Sequence, residues 1–424
     1  MMNVRFVLQN LETFKKNCRL RKMKADFDRI QQFVQQRSEL VQKVEGIRAR
    51  INEISREVNK EKGGEGKGLI AEGKKLKNNL KDFKAKLRNI ESNLINELRK
   101  IPNLTHPDAP VGEDDQDNVE IERIGEIPKF SFKVRDHLEL GKLLDIIDFE
   151  AGARVTGSNF CFLKDEGVLL EFALLRYALE VLAENGFQLY LTPDLAKLPI
   201  IEGIGFIPRG PETQIYRIEE NNLGLIATAE ITLGGLLQNT IVDAKKLPLK
   251  FGGVSHCFRT EAGAYGRASK GLYRIHQFSK AEMFIYSLPE DSDKMLELLV
   301  NVEKRIFSEL GIPFRIVDCC TGDLGGAAYR KFDLEAWIPS EERWGEITSA
   351  SNCTDYQAQR LNIRFKQAPN KKPEFIHTLN GTAIAVSRTL LAILENYQEQ
   401  DGSVRIPKVL QKFVGKDKIL PKKG

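Results

Sequence analysis

The sequence predicts an α+β protein: a mainly antiparallel sheet flanked by helices, preceded by an N-terminal arm of two antiparallel coiled-coil helices. Three observations lead there. Apolar residues recur every 3.5 positions through two long N-terminal stretches. Strand patterns with hairpin-like connections dominate the remainder. No Rossmann glycine fingerprint follows any strand, which argues against a doubly wound parallel sheet. At 424 residues, two domains are expected.

The arm comes first. Phe33, Leu40, Val44, Ile47, Ile51, Ile54 and Val58 follow alternating steps of four and three, with Arg37 in one slot. A second run, Leu69, Gly73, Leu76, Leu80, Phe83, Leu87, Ile90 and Leu94, keeps the same rhythm. The glycine-rich stretch 60–68 breaks the pattern, so two helices joined by a short connection must fold back antiparallel. Asp26 is the expected N-cap of the first helix, and Pro102 closes the second. Helices of about 30 residues reach about 45–50 Å, so the arm is expected to project. Residues 68–75 match most of a P-loop, but Lys75 stands where Ser or Thr belongs and the match lies inside the coiled coil, so it is rejected.

Prolines 102, 107, 110 and 128 bracket the acidic run Glu113–Asp117. This predicts a domain at 1–110, with the arm at about 27–100, a linker at 111–129 and a second domain at 130–424. In the latter, a Leu-rich helix over 167–184 stops at Gly186 and is followed by a strand from Phe187 to Leu191. Further strands are expected at 224–227, 251–258, 273–286, 314–318, 331–338 and 344–349.

Charge divides the chain. Residues 1–110 hold 25 Lys and Arg against 14 Asp and Glu, an excess of +11, while the remainder is net −6. A basic arm suits a polyanion, and backbone-phosphate contacts with a nucleic acid fit it better than plain solvation. The 42% hydrophobic and 29% charged residues describe a soluble globular protein, and no apolar run is long enough to span a membrane. The N-terminus lacks a secretory layout, so a cytoplasmic location is expected. The six cysteines form no C-x-x-C pair and are expected reduced; the five histidines have no metal-ligand spacing, so no zinc site is expected.

The most informative segment is the hairpin around residues 258–282. Arg259 and Glu261 sit two residues apart at the base of a loop carrying Gly263, Gly266 and Gly271. Strand alternation would put both on one face. A guanidinium for phosphate and a carboxylate for an exocyclic amine suit a nucleoside triphosphate, although Arg-x-Glu alone also fits an ordinary charged hairpin. Three weaker groups accompany it. Thr228-Ala229-Glu230 follows a strand, and equally fits a helix cap with a solvated charge. Glu346-Ile347-Thr348-Ser349 again puts a hydroxyl and a carboxylate on one side, and Asn380-Gly381-Thr382 precedes an apolar helix containing Arg388 and equally fits a turn.

In this order, after a basic hairpin arm, these strings resemble the bacterial type of seryl-tRNA synthetase over essentially the whole chain. They are Thr-Ala-Glu at 228–230, Phe-Arg-Thr-Glu-Ala-Gly at 258–263, Gly-Leu-Tyr-Arg-Ile-His-Gln-Phe at 271–278, Glu-Ile-Thr-Ser at 346–349 and the run 378–396. The resemblance implies a class II antiparallel sheet with three motifs: the Leu-rich helix through Pro193, used by the family at its dimer interface, the hairpin, and Gly381 to the helix of Arg388. The class I signatures are absent.

The resemblance also implies roles. Arg259 would hold the ATP α-phosphate and Arg388 the γ-phosphate, with Arg274 assisting. Glu261 would meet the adenine amine and Phe278 stack on the ring; Thr260, Ile275, Ile347 and Thr348 belong to the same ATP-binding strings. Glu346 and Ser349 would ligate Mg²⁺. Thr228, Ala229, Glu230, Glu282, Asn380 and Thr382 would form the serine pocket. The implied activity is formation of seryl-adenylate from L-serine and ATP, then transfer to tRNA-Ser, and to tRNA-Sec where that RNA exists, by a homodimer with no membrane association. The arm would grasp the long variable arm of the tRNA. Thr382 and Thr260 stand where many relatives have Ser, Gln359 where many are basic, and motif 3 keeps only Gly381 of its glycine pattern; none of these removes a charged group. Two alternatives are a paralogue that loads a carrier protein, against which the full arm argues, and an inactive RNA-binding scaffold, against which the intact charged residues argue.

Overall fold

The computed structural model describes residues 4–60, 67–206, 215–261 and 271–422. It divides into two compact units, Met1–Pro102 and Asn103–Gly424. In the first, the helices Phe27–Lys60 and Lys67–Arg99 form the expected antiparallel pair. The Arg29 N–H donates to Asp26 Oδ1 at 2.9 Å, the cap that starts the first helix. Phe33, Val44, Ile54 and Leu94 are buried along the seam, and Gly73 packs against Ile54. Arg37–Glu91 and Arg50–Glu72, each at 3.0 Å, link the helices across their exposed flanks. The P-loop-like string lies within the second helix. Most of the glycine-rich breaker lies outside the described residues.

The second unit is built on eight strands: β1 Val119–Ile124, β2 Gln188–Leu191, β3 Leu249–Phe258, β4 Gln277–Ser287, β5 Phe314–Asp318, β6 Arg330–Ile338, β7 Arg343–Asn352 and β8 His377–Ala385. Their order across the sheet is β1-β5-β6-β7-β8-β4-β3-β2, with every pair antiparallel except β2–β3. Alternation assigns each face its core. In β4, Ala281, Met283 and Ile285 pack under the helices Glu166–Glu184, Ser292–Leu310 and Val386–Asn396. Phe284 and Tyr286 point the other way, into a second core formed with Leu198–Ile204 and Ala229–Gly235. Gly186, at φ +74°, ends the Leu-rich helix as expected.

Two expectations are corrected. Residues 111–129 are not a free linker: β1 adds to the sheet edge beside β5, and the Gly112 N–H donates to Thr321 Oγ1. The alternation of Val119 and Ile121 was hidden among acids because five of the six β1 residues are exposed. Nor is Asn380-Gly381 a turn, since both lie inside β8 between β7 and β4. A Cβ at Gly381 would stand 3.1 Å from Glu303 Oε1 and 3.2 Å from Met283 Cε, so the strand packs tightly there.

Phe307 is fully buried and meets Phe314 edge-on at 6.3 Å, pinning the Ser292–Leu310 helix to the sheet. Phe307→Ala is therefore expected to cost about 3–5 kcal/mol, read as a lower urea midpoint with parental secondary structure in the native baseline.

Candidate active site

The helix-free part of the second face carries a polar strip crossing four strands. Residues directly opposite in a ladder share a face. Glu282 is opposite Thr382, Asn380 opposite Ser351, and Ser349 opposite Asp333, so these side chains align with Phe278 and Lys280. Two β-bulges adjust the strip. One lets Thr348 pair with Leu334 and Glu346 with Glu335, leaving Ile347 extra. Ile347 joins the core and Thr348 donates to the buried Glu303 at 3.0 Å, whereas Glu346 and Ser349 emerge together on the polar face. Plain alternation would have coupled Glu346 with Thr348 instead. The other bulge lies between Thr382 and Ile384.

One end of the strip is a pocket of acids and hydroxyls. Thr228 caps the Ala229–Gly235 helix by accepting the Glu230 N–H at 3.1 Å, and its hydroxyl donates to Glu282 at 3.0 Å. The cap expected as the ordinary alternative is present, but the charge is not solvated. Glu230 Oε1 accepts from Gln357 at 2.7 Å and from Asn380 at 3.1 Å. Burial, reinforced by Glu282 nearby, pushes the Glu230 carboxyl up to about 7. Burial also raises Glu282, against the opposing pull of the Lys280 ammonium that pairs with it. Lys280 Nζ also reaches Thr382 Oγ1 at 3.4 Å. Ala229 is buried in the core, so only its backbone could meet a ligand.

The other end holds the arginines. The Arg259 guanidinium stands 5.3 Å above the Phe278 ring, with Nε near the Ala227 carbonyl at 3.4 Å. Arg388 lies in the first turn of the Val386–Asn396 helix, over the Tyr273 ring at 4.7 Å. It donates to the Glu346 carbonyl at 3.0 Å and pairs with its carboxylate at 3.2 Å. Burial alone would raise Glu346, but Arg388 and Lys331 outweigh it and hold the carboxyl below its ordinary range.

Glu261 departs from expectation. β3 ends at Phe258, and Glu261 takes φ +51°, so the two hairpin residues are not set by continued strand alternation. Glu261 instead accepts from Arg274 at 2.9 Å. Gly263 and Gly266 lie outside the described residues. Ile275 is a core side chain, and Thr260 follows Arg259 at the loop base.

Lys280, Gln357 and Tyr273 were not singled out from the sequence. Lys280 was findable, because it shares strand parity with Phe278 and Glu282. Gln357 comes from the separate helix Tyr356–Leu361 and left no local signal. All six cysteines are free. Cys319, Asp323 and Asp333 offer ligand atoms within 4.8 Å of one another, but the Lys331 ammonium bridges the two carboxylates at 3.1 and 3.0 Å. No helix among the described residues is long and apolar enough to cross a membrane.

Burial keeps Glu230 protonated up to about 7, whereas the unfolded chain ionises it near the ordinary glutamate value. Between those values the unfolded chain ionises while the folded carboxyl stays protonated, so stability falls as the pH rises. Glu230→Gln keeps the accepting oxygen, so it should raise the melting temperature at pH 8 and have little effect at pH 5. A gain that did not change with pH would contradict the assignment.

The chain is similar to proteins of one family over its whole length. A model of the tRNA synthetase class II core domain (G, H, P, S and T) matches residues 215–397, and one of the seryl-tRNA synthetase N-terminal domain matches residues 1–105. Serine–tRNA ligase of Rubrobacter xylanophilus is 53% identical over 99% of both chains, and that of Dictyoglomus turgidum 53% over 100% of both. The crystal structure of seryl-tRNA synthetase from Pyrococcus horikoshii, complexed with ATP, superposes with a TM-score of 0.87 at 37% identity, covering 100% of each chain. The chain therefore belongs to the seryl-tRNA synthetase family of class II aminoacyl-tRNA synthetases.

Proposed function

We propose that this protein activates L-serine with ATP and transfers the seryl group to the 3′ end of tRNA-Ser, and of tRNA-Sec where that RNA exists. The observation that carries this is the single sheet face on which the Thr228–Glu230–Glu282–Thr382 pocket adjoins Arg259 and Arg388. A serine carboxylate oxygen attacks the α-phosphorus of ATP. That P–O bond forms as the bond to the β-phosphate bridge breaks, releasing pyrophosphate. A ribose hydroxyl of the tRNA then attacks the acyl carbon and AMP leaves. An ionised carboxylate needs no general base for the first step. Catalysis rests on orientation and charge neutralisation. Arg259 holds the α-phosphate and Arg388 the γ-phosphate, with Arg274 assisting; Phe278 stacks on the adenine and Glu261 meets its amine.

Glu346 and Ser349 fit Mg²⁺: the bulge brings their hard oxygen donors to one partly exposed patch of the face. When bound there, the ion would neutralise phosphate charge. Within the pocket, the serine hydroxyl meets polar groups that alanine cannot engage, which favours serine.

The arm grasps the tRNA outside its anticodon, a role supported by the +11 excess and by the match of residues 1–105 to the family's N-terminal domain. A cytoplasmic homodimer is the proposed working form. Phe172 is 66% exposed on the Leu-rich helix and Leu191 86% exposed on the edge strand β2, apolar side chains that a second copy could cover.

Serine-dependent ATP–pyrophosphate exchange without tRNA, followed by charging of tRNA-Ser, tests the proposal; exchange with loading of a carrier protein, or no exchange, would refute it. Arg259→Ala should reduce exchange at least about a hundredfold, the scale of losing one oriented donor. Deleting residues 27–100 should spare exchange and abolish charging, whereas loss of both would mean that the arm supports the fold.

A further inference from the structure

Beneath the arginine end of the strip, hydrogen bonds converge on a side chain to which none of the roles above is assigned. His137 is 2% exposed and opens the short helix His137–Leu143. Its backbone N–H and its Nδ1 both meet Glu395 Oε1, at 3.1 and 2.9 Å. The second oxygen of Glu395 accepts the Ser340 N–H at 3.0 Å. On the far side of the ring, the Leu272 N–H donates to Nε2 at 3.3 Å. An acceptor at Nε2 requires the proton on Nδ1, the tautomer that donates to Glu395, so the two bonds support each other. Gly271 is at φ +62°, and a Cβ there would stand 2.3 Å from Nε2. The backbone can approach the ring only because that side chain is missing.

A buried His–carboxylate pair usually does no more than stabilise a fold. The destination of this one says more. Leu272 leads directly into Tyr273, whose carbonyl accepts from Arg388 Nε at 3.4 Å and whose ring lies under the guanidinium. Glu395 sits on the same helix as Arg388, two turns further on. The path from that helix through Glu395, His137, Leu272 and Tyr273 therefore returns to Arg388. It also fixes the return end of the hairpin loop, immediately before Arg274.

We propose that His137 is a positioning residue for ATP: through Leu272 and Tyr273 it sets the guanidinium of Arg388 and the end of the nucleotide-binding loop. This rests on the phosphate role proposed for Arg388. The carbonyl of Gln can accept where Nε2 does, whereas Asn reaches Glu395 but not Leu272. In serine-dependent pyrophosphate exchange, His137→Asn is expected to raise the KM for ATP about tenfold while leaving that for serine within about twofold, and His137→Gln to recover most of the loss. Glu395→Gln, which frees the ring to take the other tautomer, should likewise raise the KM for ATP alone and carries the comparison if the Asn variant does not fold. Equal defects in His137→Asn and His137→Gln, matching rises in both KM values, or a lower melting temperature with parental KM values would overturn the proposal. A parent protein without serine-dependent exchange would instead overturn the functional reading on which it rests.

Discussion

A buried ammonium and a buried carboxylate, Lys280 and Glu282, stand two residues apart in the middle of a sheet, and neither could remain there alone. Both are at least nine-tenths buried, and each is satisfied by the other together with a threonine hydroxyl, Thr382 for the lysine and Thr228 for the glutamate. Breaking such a pair leaves an unpaired buried charge, at a cost on the order of 3–5 kcal/mol. The surrounding elements are arranged to prevent that. β8 brings Thr382 into register with Glu282, and the Ala229–Gly235 helix begins at Thr228. Replacing the charges with apolar residues would pack more simply. Their retention puts charged and hydroxyl groups beside a core that is otherwise apolar.

Much of this was legible in the sequence because antiparallel sheets convert residue parity into sidedness. Phe278, Glu282, Asn380, Thr382 and Ser349 do share one face, and the coiled-coil seam was readable from its period. What escaped depended on departures from periodicity or on distant packing. Glu346 and Ser349 are three residues apart, and only the extra residue at Ile347 brings them together. Glu261 turns out of the strand plane by a positive φ. β1 hid because an exposed edge strand shows little apolar contrast, and β8 because Asn-Gly has the chemistry of a turn. Gly381 instead lies within the strand, packed close to the helix that carries Glu303.

The two bulges share a consequence. Each lies in a strand that contributes to the strip, β7 with the acid that pairs with Arg388 and β8 with the hydroxyl that meets Lys280. A regular ladder would hold every second residue at a fixed spacing and could not bring donors from neighbouring registers to one locus. Bulges supply that freedom while keeping both strands in the sheet, so the groups they redirect remain on a rigid support.

Rigidity also bears on how a site of this kind distinguishes small amino acids. Glu230 is held near neutrality by burial, yet Gln357 and Asn380 both donate to it from fixed elements. A ligand ammonium arriving beside it would favour the ionised form, so binding and proton release are coupled at this carboxyl. The serine hydroxyl is a separate matter: it must meet groups that already have partners in Thr228, Glu282, Lys280 and Thr382. A ligand lacking that hydroxyl gains nothing for disturbing them, and a larger one must move strands that the core pins. On the proposed assignment, selectivity therefore comes from the same buried pairing that holds the middle of the sheet together, and loosening one would loosen the other.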